Sequence, residues 1–503
     1  MLVRKNRWLR LACLPVALSF VAAACGSDDD EAADTTTAPA ATAAPAATDA
    51  PEATTADTEA GGADTTAAPT EETTADTAVV ITRPENCTSQ EMAEPSGEGD
   101  GEVTITGPER DEPSVAAINE VLSAFGEENG IEITFIGDAD WEANISTQVS
   151  GGNPPDIGVF PQPGKLRDFA CAGFVYPLSG EVNESLAANW STDYSDYAKD
   201  SDVQYGVPVK TDLKSLVWYQ PARFEAAGYE VPQTFDEFID LIAQINADGE
   251  GKPLCVGIES GTATGWTYTD WVEEMVLRMH GGEVYDKWVN HEIPFNDPKI
   301  VESMQAVLDV WSEENVFASG GNIAATNFGD NAQPLIDGDC FMHRQASFFS
   351  GFLGEAGAVF ADDSDEAIDV FYFPDINGDK PVLTAGTFAA PFNNDPDTMK
   401  VIAYMATADY AQKRQAAQTA FLDGGLSGYL SAAQGQDPSV YQGLESGFIE
   451  ILNNSELSRF DASDLMPAAV GSGTFWSEGT SAVNGDKTAQ EAADAIEASW
   501  PSD

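Results

Sequence analysis

Residues 101–160 constrain the fold more than any other part of this chain. "GEVTITGPER" alternates apolar and polar residues, as a strand with one face on a core does, and stops at Gly-Pro. "SVAAINEVLSAFGEENG" carries its apolar residues at helical spacing and ends on glycine, and "IEITFIGD" is again a strand. Strand, helix and strand in that order make a βαβ unit, which commits the region to a parallel sheet covered by helices. After a polar helix that includes Trp141, "GGNPPDIGVFPQPG" supplies a short apolar strand at 157–160 closed by a Pro/Gly loop. Loops at strand ends are where α/β proteins hold ligands. Further helical runs are predicted at 234–247, 270–280, 298–314 and 396–417, between short apolar strands. The expected class is α/β, with no long repeat.

The first 85 residues read differently. "MLVRKNRWLR" is basic, and "LACLPVALSFVAAAC" is an apolar stretch too short for a comfortable membrane span and ending in small residues. Residues 1–24 are therefore expected to be a secretory signal, and "VAAACG" resembles a bacterial lipobox, with Cys25 as the lipidated first residue of the mature chain. From 25 to 85 the chain is rich in Thr, Ala, Asp, Glu and Pro, a composition that builds no core and stays extended as a tether. The expected location is the outer face of the cell membrane, reached through the lipid alone.

A net charge of -61, from 84 acidic against 23 basic residues, repels nucleic acid and gains nothing from an anionic membrane surface. Spread through the whole chain, such an excess is a solvated surface and is given no functional weight. Cys87, Cys171, Cys255 and Cys340 form an even set in an exported domain, which favours two disulfides over thiol chemistry or a metal. They lack C-x-x-C spacing, so zinc is not expected, and their own spacing leaves three pairings open. G-x-S-x-G, P-loop and H-E-x-x-H motifs are absent. No metal, cofactor or catalytic residue is assigned.

Several motifs together resemble the extracellular solute-binding proteins that serve ABC importers. They are "GGNPPDIGVF", "YGVPVKTDLKSLVWYQPARFEAAGYEVPQTFDEFIDL", "GDCFMHRQASF" and "LTAGTFAAPF", and the likeness runs from about residue 100 to the end. It is strongest to the carbohydrate-binding, maltose-binding-protein-like branch and, within it, to α-glucoside binders. The resemblance implies a type II periplasmic-binding-protein-like fold: two α/β lobes joined by hinge strands, with a ligand cleft between them. It also implies a monomer that hands its solute to permease subunits. Crossings are expected near 209–214, 383–390 and 424–430. Lobe 1 then comprises 86–211 plus 387–426, and lobe 2 comprises 212–386 plus 427–503. A bond across the cleft would oppose closure, so this partition pairs Cys87 with Cys171 and Cys255 with Cys340.

A sugar has apolar ring faces and a polar rim, and is held by flat aromatic surfaces and planar hydrogen-bonding side chains. "GTATGWTYTDWVEE", 261–274, has that composition, so Trp266, Asp270 and Trp271 are candidate ligand contacts. The competing reading makes Asp270 a helix cap and Trp271 a core residue. Phe160 and Gln162 follow the "PDI" strand, and Trp141 lies on the helix before it, either in the site or in the core. Lys214 at a crossing and Arg344 in "MHRQASF" are hydroxyl donors or members of ion pairs. Asp464 and Trp476, in "RFDASDLMPAAVGSGTFWSEG", make a third candidate wall. His280 and His343 read as structural. The runner-up ligands are a polyamine, a peptide or an iron chelate on the same fold, and the more distant alternative is a surface-anchored glycoside-active enzyme.

Overall fold

The structure is a computed structural model that describes residues 90–501 except 361–363, 379, 423 and 424, together with Ile81, Arg83, Pro84 and Cys87. The expected signal segment, Cys25 and the tether as far as residue 80 lie outside the described residues.

The opening unit is as expected. Strands β1 (Glu102–Gly107), β2 (Glu132–Gly137) and β3 (Ile157–Phe160) run parallel, with β1 between the other two. The intervening helix, Glu112–Asn129, starts where the Asp111 carboxylate accepts from the Ser114 N–H at 2.9 Å, and it stops at Gly130, whose φ of 75° suits glycine. The other main strands are β4 (Val207–Leu213), β5 (Leu216–Tyr219), β6 (Lys252–Cys255), β7 (Val316–Phe317), β8 (Cys340–Arg344), β9 (Asp369–Tyr372), β10 (Val382–Pro391) and β11 (Ser458–Phe460). One sheet has the order β11-β10-β3-β1-β2, with β4 also paired to β10, and the other has the order β9-β5-β8-β6-β7. The predicted helix at 396–417 is two helices, Pro396–Met405 and Ala408–Phe421. Thr407 parts them, its hydroxyl accepting from the Tyr410 N–H.

Each sheet carries its own core, and the chain passes between them on the hinge strands. Along β10, Leu383 packs with Trp271, Met304 and Phe373, whereas Ala385 and Phe388 pack with Trp141 and Phe169. The strand therefore changes lobes within two residues. Beside it, β4 is antiparallel to β10 from Thr384↔Leu213 to Ala389↔Val207, and the Thr211 N–H donates to Leu430 O at 2.9 Å. The C-terminal part is shared rather than wholly in the second lobe: Tyr429, Ala433 and Phe460 pack on the first side. Phe460 is brought there as the partner of Thr384, where β10 crosses toward the first lobe. Ordered packing also begins before residue 86. Ile81 is buried in the first lobe, and the Arg83 guanidinium donates to Asp200 at 2.6 Å. Cys87 is bonded to Cys171 and Cys255 to Cys340, so neither disulfide crosses the cleft.

Candidate functional site

A cavity of about 180 Å³ lies between the lobes, against the hinge strands. The helix Trp266–Val289 enters it by its first turns and breaks at Gly281, where φ is 81°. Its start is set by Gly265 at φ 113°, where a Cβ would come within 2.4 Å of Trp476 O. Glycine therefore serves both the backbone angle and the close approach. With the helix beginning at Trp266, Asp270 is one turn in and is not a cap. Residues i and i+4 share a face, so Trp266 and Asp270 both line the cavity. The Trp266 ring lies 5.0 Å from Phe328 and 6.1 Å from Phe348, and Phe352 lies 5.2 Å from Phe328. Together they form an aromatic wall, with Lys214 Nζ 5.4 Å from the Trp266 ring centre.

The floor is built around one ammonium. Lys214 Nζ donates to Asp270 Oδ1 at 2.6 Å and to Asp461 Oδ2. Asp461 also accepts from the Ser463 hydroxyl at 2.9 Å, and Glu273 accepts the backbone N–H groups of Ala462 and Ser463 at 3.1 and 3.0 Å. Burial works against charge on all of them, and the partners decide the outcome. For Lys214, Asp270 and Asp461 overcome burial and hold the ammonium well above its usual range. Burial of Asp270 outweighs Lys214 and, helped by Asp461, pushes its carboxyl up to about 7. Burial, and then the Asp461 charge, raise Glu273 and Asp464 well above the carboxylate range. Asp461 is buried too, but Lys214 and its hydrogen bonds hold it below that range. Oxygens of Asp270, Glu273 and Asp461 lie within 4.8 Å of one another, a spacing a cation could use. Lys214, bonded to two of the three, already supplies the positive charge.

At the other end of the cavity, Glu109 follows the end of β1, Gln418 comes from the helix Ala408–Phe421, and Lys210 and Asp212 on β4 alternate with Lys214 just past its end. Several of these side chains are buried with an oxygen that accepts no hydrogen bond. Both oxygens of Glu109, and one each of Asp212, Asp270, Gln162 and Gln418, are in this state. On the donor side, the Trp476 indole N–H is likewise unpaired. The carboxylates among them have basic neighbours. Arg414 lies 3.6 Å from Glu109, Lys210 lies 3.3 Å from Asp212, and Lys214 holds Asp270 and Asp461.

Of the residues singled out in the sequence, Trp266, Asp270, Gln162, Lys214, Asp464 and Trp476 line this cavity. Four others do not. Trp271 is rotated by about 100° from Asp270, and packs edge-on to Trp311 and Phe373 in the second core. Phe160 is fully buried between Trp141 and Phe169, and Trp141, in the same core, donates its indole N–H to Thr106 Oγ1 at 3.0 Å. Arg344 sits behind the floor, donating to Glu274 at 2.7 Å and lying 3.6 Å from Asp270. His343 is buried beyond it, with Nδ1 2.9 Å from Cys255 O. Sequence reading missed Glu109, Asp212, Phe328, Phe348 and Gln418. Two signals were available: Glu109 stands at a strand's carboxyl end, and Asp212 has the two-residue spacing of a strand face with Lys214.

Two lobes on hinge strands, with an aromatic-walled polar cavity between them, describe a binding protein that closes on a small solute. The chain belongs to the bacterial extracellular solute-binding proteins, whose family model matches residues 110–422. It is 38% identical over 418 residues to the alpha-glucosides-binding periplasmic protein AglE of Rhizobium meliloti, covering 80% of this chain and 87% of the relative. It is 37% identical over 393 residues to the osmoprotective compounds-binding protein GgtB of Synechocystis sp., covering 76% and 89%. In fold it is similar to the GacH receptor of Streptomyces glaucescens, with a TM-score of 0.60 at 16% identity, covering 79% of this chain and 97% of the receptor.

Proposed function

We propose that this protein captures a neutral, hydroxyl-rich carbohydrate, an α-glucoside by first choice, and delivers it to the permease subunits of an ABC importer. It works as a monomer tethered through lipidated Cys25 on the outer face of the membrane, and its lobes, divided as the sequence implies apart from the shared C-terminal part, close over the ligand. It is a binder and not an enzyme. The observation that carries the ligand class is the set of buried oxygens that accept no hydrogen bond, beside an aromatic wall. Unmet acceptors in a buried wall are costly until a ligand supplies donors, and sugar hydroxyls do so while a ring face lies on Trp266 and Phe348. A polyamine would need uncompensated negative charge. Here Glu109, Asp212 and Asp461 each have a basic partner, which favours a neutral ligand. The AglE relative is named for α-glucosides, which supports the first choice.

The test is a thermal-melting panel on the full chain with trehalose, maltose, sucrose, spermidine and ferric citrate. A ligand at 100 times its Kd adds about 2.7 kcal/mol of stability, a clear rise in Tm. At least one α-glucoside should give that rise. A rise with spermidine or ferric citrate and none with the sugars would overturn the reading.

A further inference from the structure

Gln418, on the helix Ala408–Phe421, lines the ligand cavity and is 3% exposed. Its two amide ends are not interchangeable. Nε2 donates to Ser427 O at 2.6 Å and to Ser114 Oγ at 2.8 Å. A backbone carbonyl only accepts, so the end that meets Ser427 O is the NH2 group, and both of its hydrogens are spent. Oε1 is the end left over, buried and accepting no hydrogen bond. Turning the amide over would set Oε1 against the Ser427 carbonyl, two acceptors face to face, so the orientation is locked. The N–H bonds tie the helix to its surroundings, and the oxygen takes part in no tie.

Ser427 is itself held in place. Its hydroxyl donates to Glu445 Oε1 at 2.6 Å, and the Gly428 N–H donates to the same oxygen at 2.9 Å. Gln415, on the same helix face as Gln418, donates to Glu445 Oε2 at 3.3 Å. Glu445 is buried and stands on the helix Leu444–Asn454, whose Phe448 packs with Trp218 in the second lobe. Its carboxylate therefore reaches from the second lobe to a helix of the first. At this crossing Tyr429 packs on the first side and Leu430 on the second. A Cβ on Gly428, at φ 70°, would lie 3.0 Å from Phe348 O. The bend that carries Ser427 is thus fitted to the aromatic wall on one side and to Glu445 on the other.

We propose that Gln418 is a specificity-determining ligand contact, a fixed acceptor that takes one hydroxyl of the bound sugar, and that Glu445 is the positioning residue that fixes it through Ser427. The assignment rests on the carbohydrate reading proposed above. An amide free to turn meets a donor or an acceptor equally well; one whose NH2 is spent takes a donor alone. The cavity therefore rejects a ligand with an ether, a fluorine or a bare hydrogen at that position, because a buried acceptor would stay unsatisfied.

Analogues that each lack one hydroxyl test it, made from whichever of trehalose, maltose and sucrose raises Tm most and titrated calorimetrically into the purified full chain. Wild type should bind one of them at least about fivefold more weakly than the parent sugar. Gln418→Met keeps the length of the side chain and has no amide oxygen. It should bind the parent at least about fivefold more weakly, and that one analogue no worse than the parent, because the bond at stake is already gone. Glu445→Ala should cut the same penalty to below about half, and Glu445→Gln, which keeps an oxygen for Ser427 and Gly428, should restore it. A role in the fold alone would lower affinity for the parent and every analogue by one factor, and that result overturns the assignment. So does a wild type indifferent to every deletion, or a Gln418→Met variant that binds the parent within about twofold of wild type. Should Gln418→Met not fold, the Glu445 pair decides: an undiminished penalty in Glu445→Ala overturns it. A wild type that binds none of the three sugars removes the carbohydrate reading instead, and this assignment with it.

Discussion

Two ionic clusters lie one behind the other on the helix that starts at Trp266, and they differ in how completely they are satisfied. In the rear cluster, Glu274 accepts from the Ser215 hydroxyl at 2.9 Å, from Arg278 Nε at 2.7 Å and from an Arg344 guanidinium N–H at 2.7 Å. Those bonds and the two arginines outweigh the burial that opposes its charge, and hold the Glu274 carboxyl below its usual range. In the front cluster Asp270, four residues earlier, has Lys214 on one oxygen and no hydrogen bond on the other. Both clusters are buried, so exposure does not separate them. Satisfaction of the carboxylate does: in the rear, closed cluster both oxygens of Glu274 accept hydrogen bonds, whereas in the front, open one Asp270 Oδ2 accepts none and has only Arg344, 3.6 Å away, beside it.

The largest effect should come from breaking the closed cluster. Glu274→Ala leaves Arg278 and Arg344 buried without their carboxylate, which costs about 3–5 kcal/mol. Urea denaturation should show that loss, while the fraction that remains folded keeps its sugar affinity to within a few-fold. A loss below about 1 kcal/mol would mean that the rear cluster is not structural.

The two tryptophans on this helix sharpen the same contrast. Trp271→Ala should cost about 3–5 kcal/mol of stability with little change in affinity, as core tryptophans do. Trp266 is half-buried on the cavity wall. Its truncation should weaken sugar binding at least tenfold, about 1.4 kcal/mol, with a smaller change in Tm. Calorimetric titration and melting on both variants give the ordering. A reversed order would exchange their roles and move the site toward Phe348 and Trp476.

A third contrast is the pH dependence that Asp270 brings to the open cluster. Asp270 has its folded-state value raised to about 7 from an ordinary 3.8, chiefly by burial. Its contribution to stability is therefore fully present below about pH 4 and is lost as pH rises through 7, because the native state keeps a proton that the unfolded chain has released. Asp270→Asn lacks that titration. Relative to wild type, the variant should gain stability steadily between pH 4 and 7 in urea titrations at several pH values. Parallel curves would place the proton elsewhere in the cluster.

The sequence showed what local pattern determines, and the fold is mostly of that kind. β1 to β3 and the helix between β1 and β2 were legible from alternation, helical spacing and a terminal glycine. Trp266, Asp270 and Lys214, which line the cavity, were legible as candidates because aromatic and hydrogen-bonding residues were concentrated near a glycine-rich helix entry and a crossing strand. Trp271 was not separable from Trp266 by composition, since only the helix start, fixed by Gly265 against Trp476, decides which of them turns inward. Phe160 and Gln162 differ in the same way, one inside a fully buried strand and the other just past it. Glu109 and Gln418, 309 positions apart, meet only through tertiary packing, for which a single sequence carries no local signal.

The arm ahead of β1 has a mechanical consequence. Cys87 is covalently fixed to Cys171, Arg83 is bound to Asp200, the Gln90 amide donates to Val175 O at 3.0 Å, and Glu94 accepts the Gly180 N–H at 2.9 Å. Every one of these grips is on the first lobe. Tension drawn along the chain ahead of Ile81 is therefore discharged into that lobe within a few residues, as a load is into a cleat, and does not reach the hinge strands. A pull on the chain ahead of Ile81 would therefore load the first lobe and leave the second free to swing.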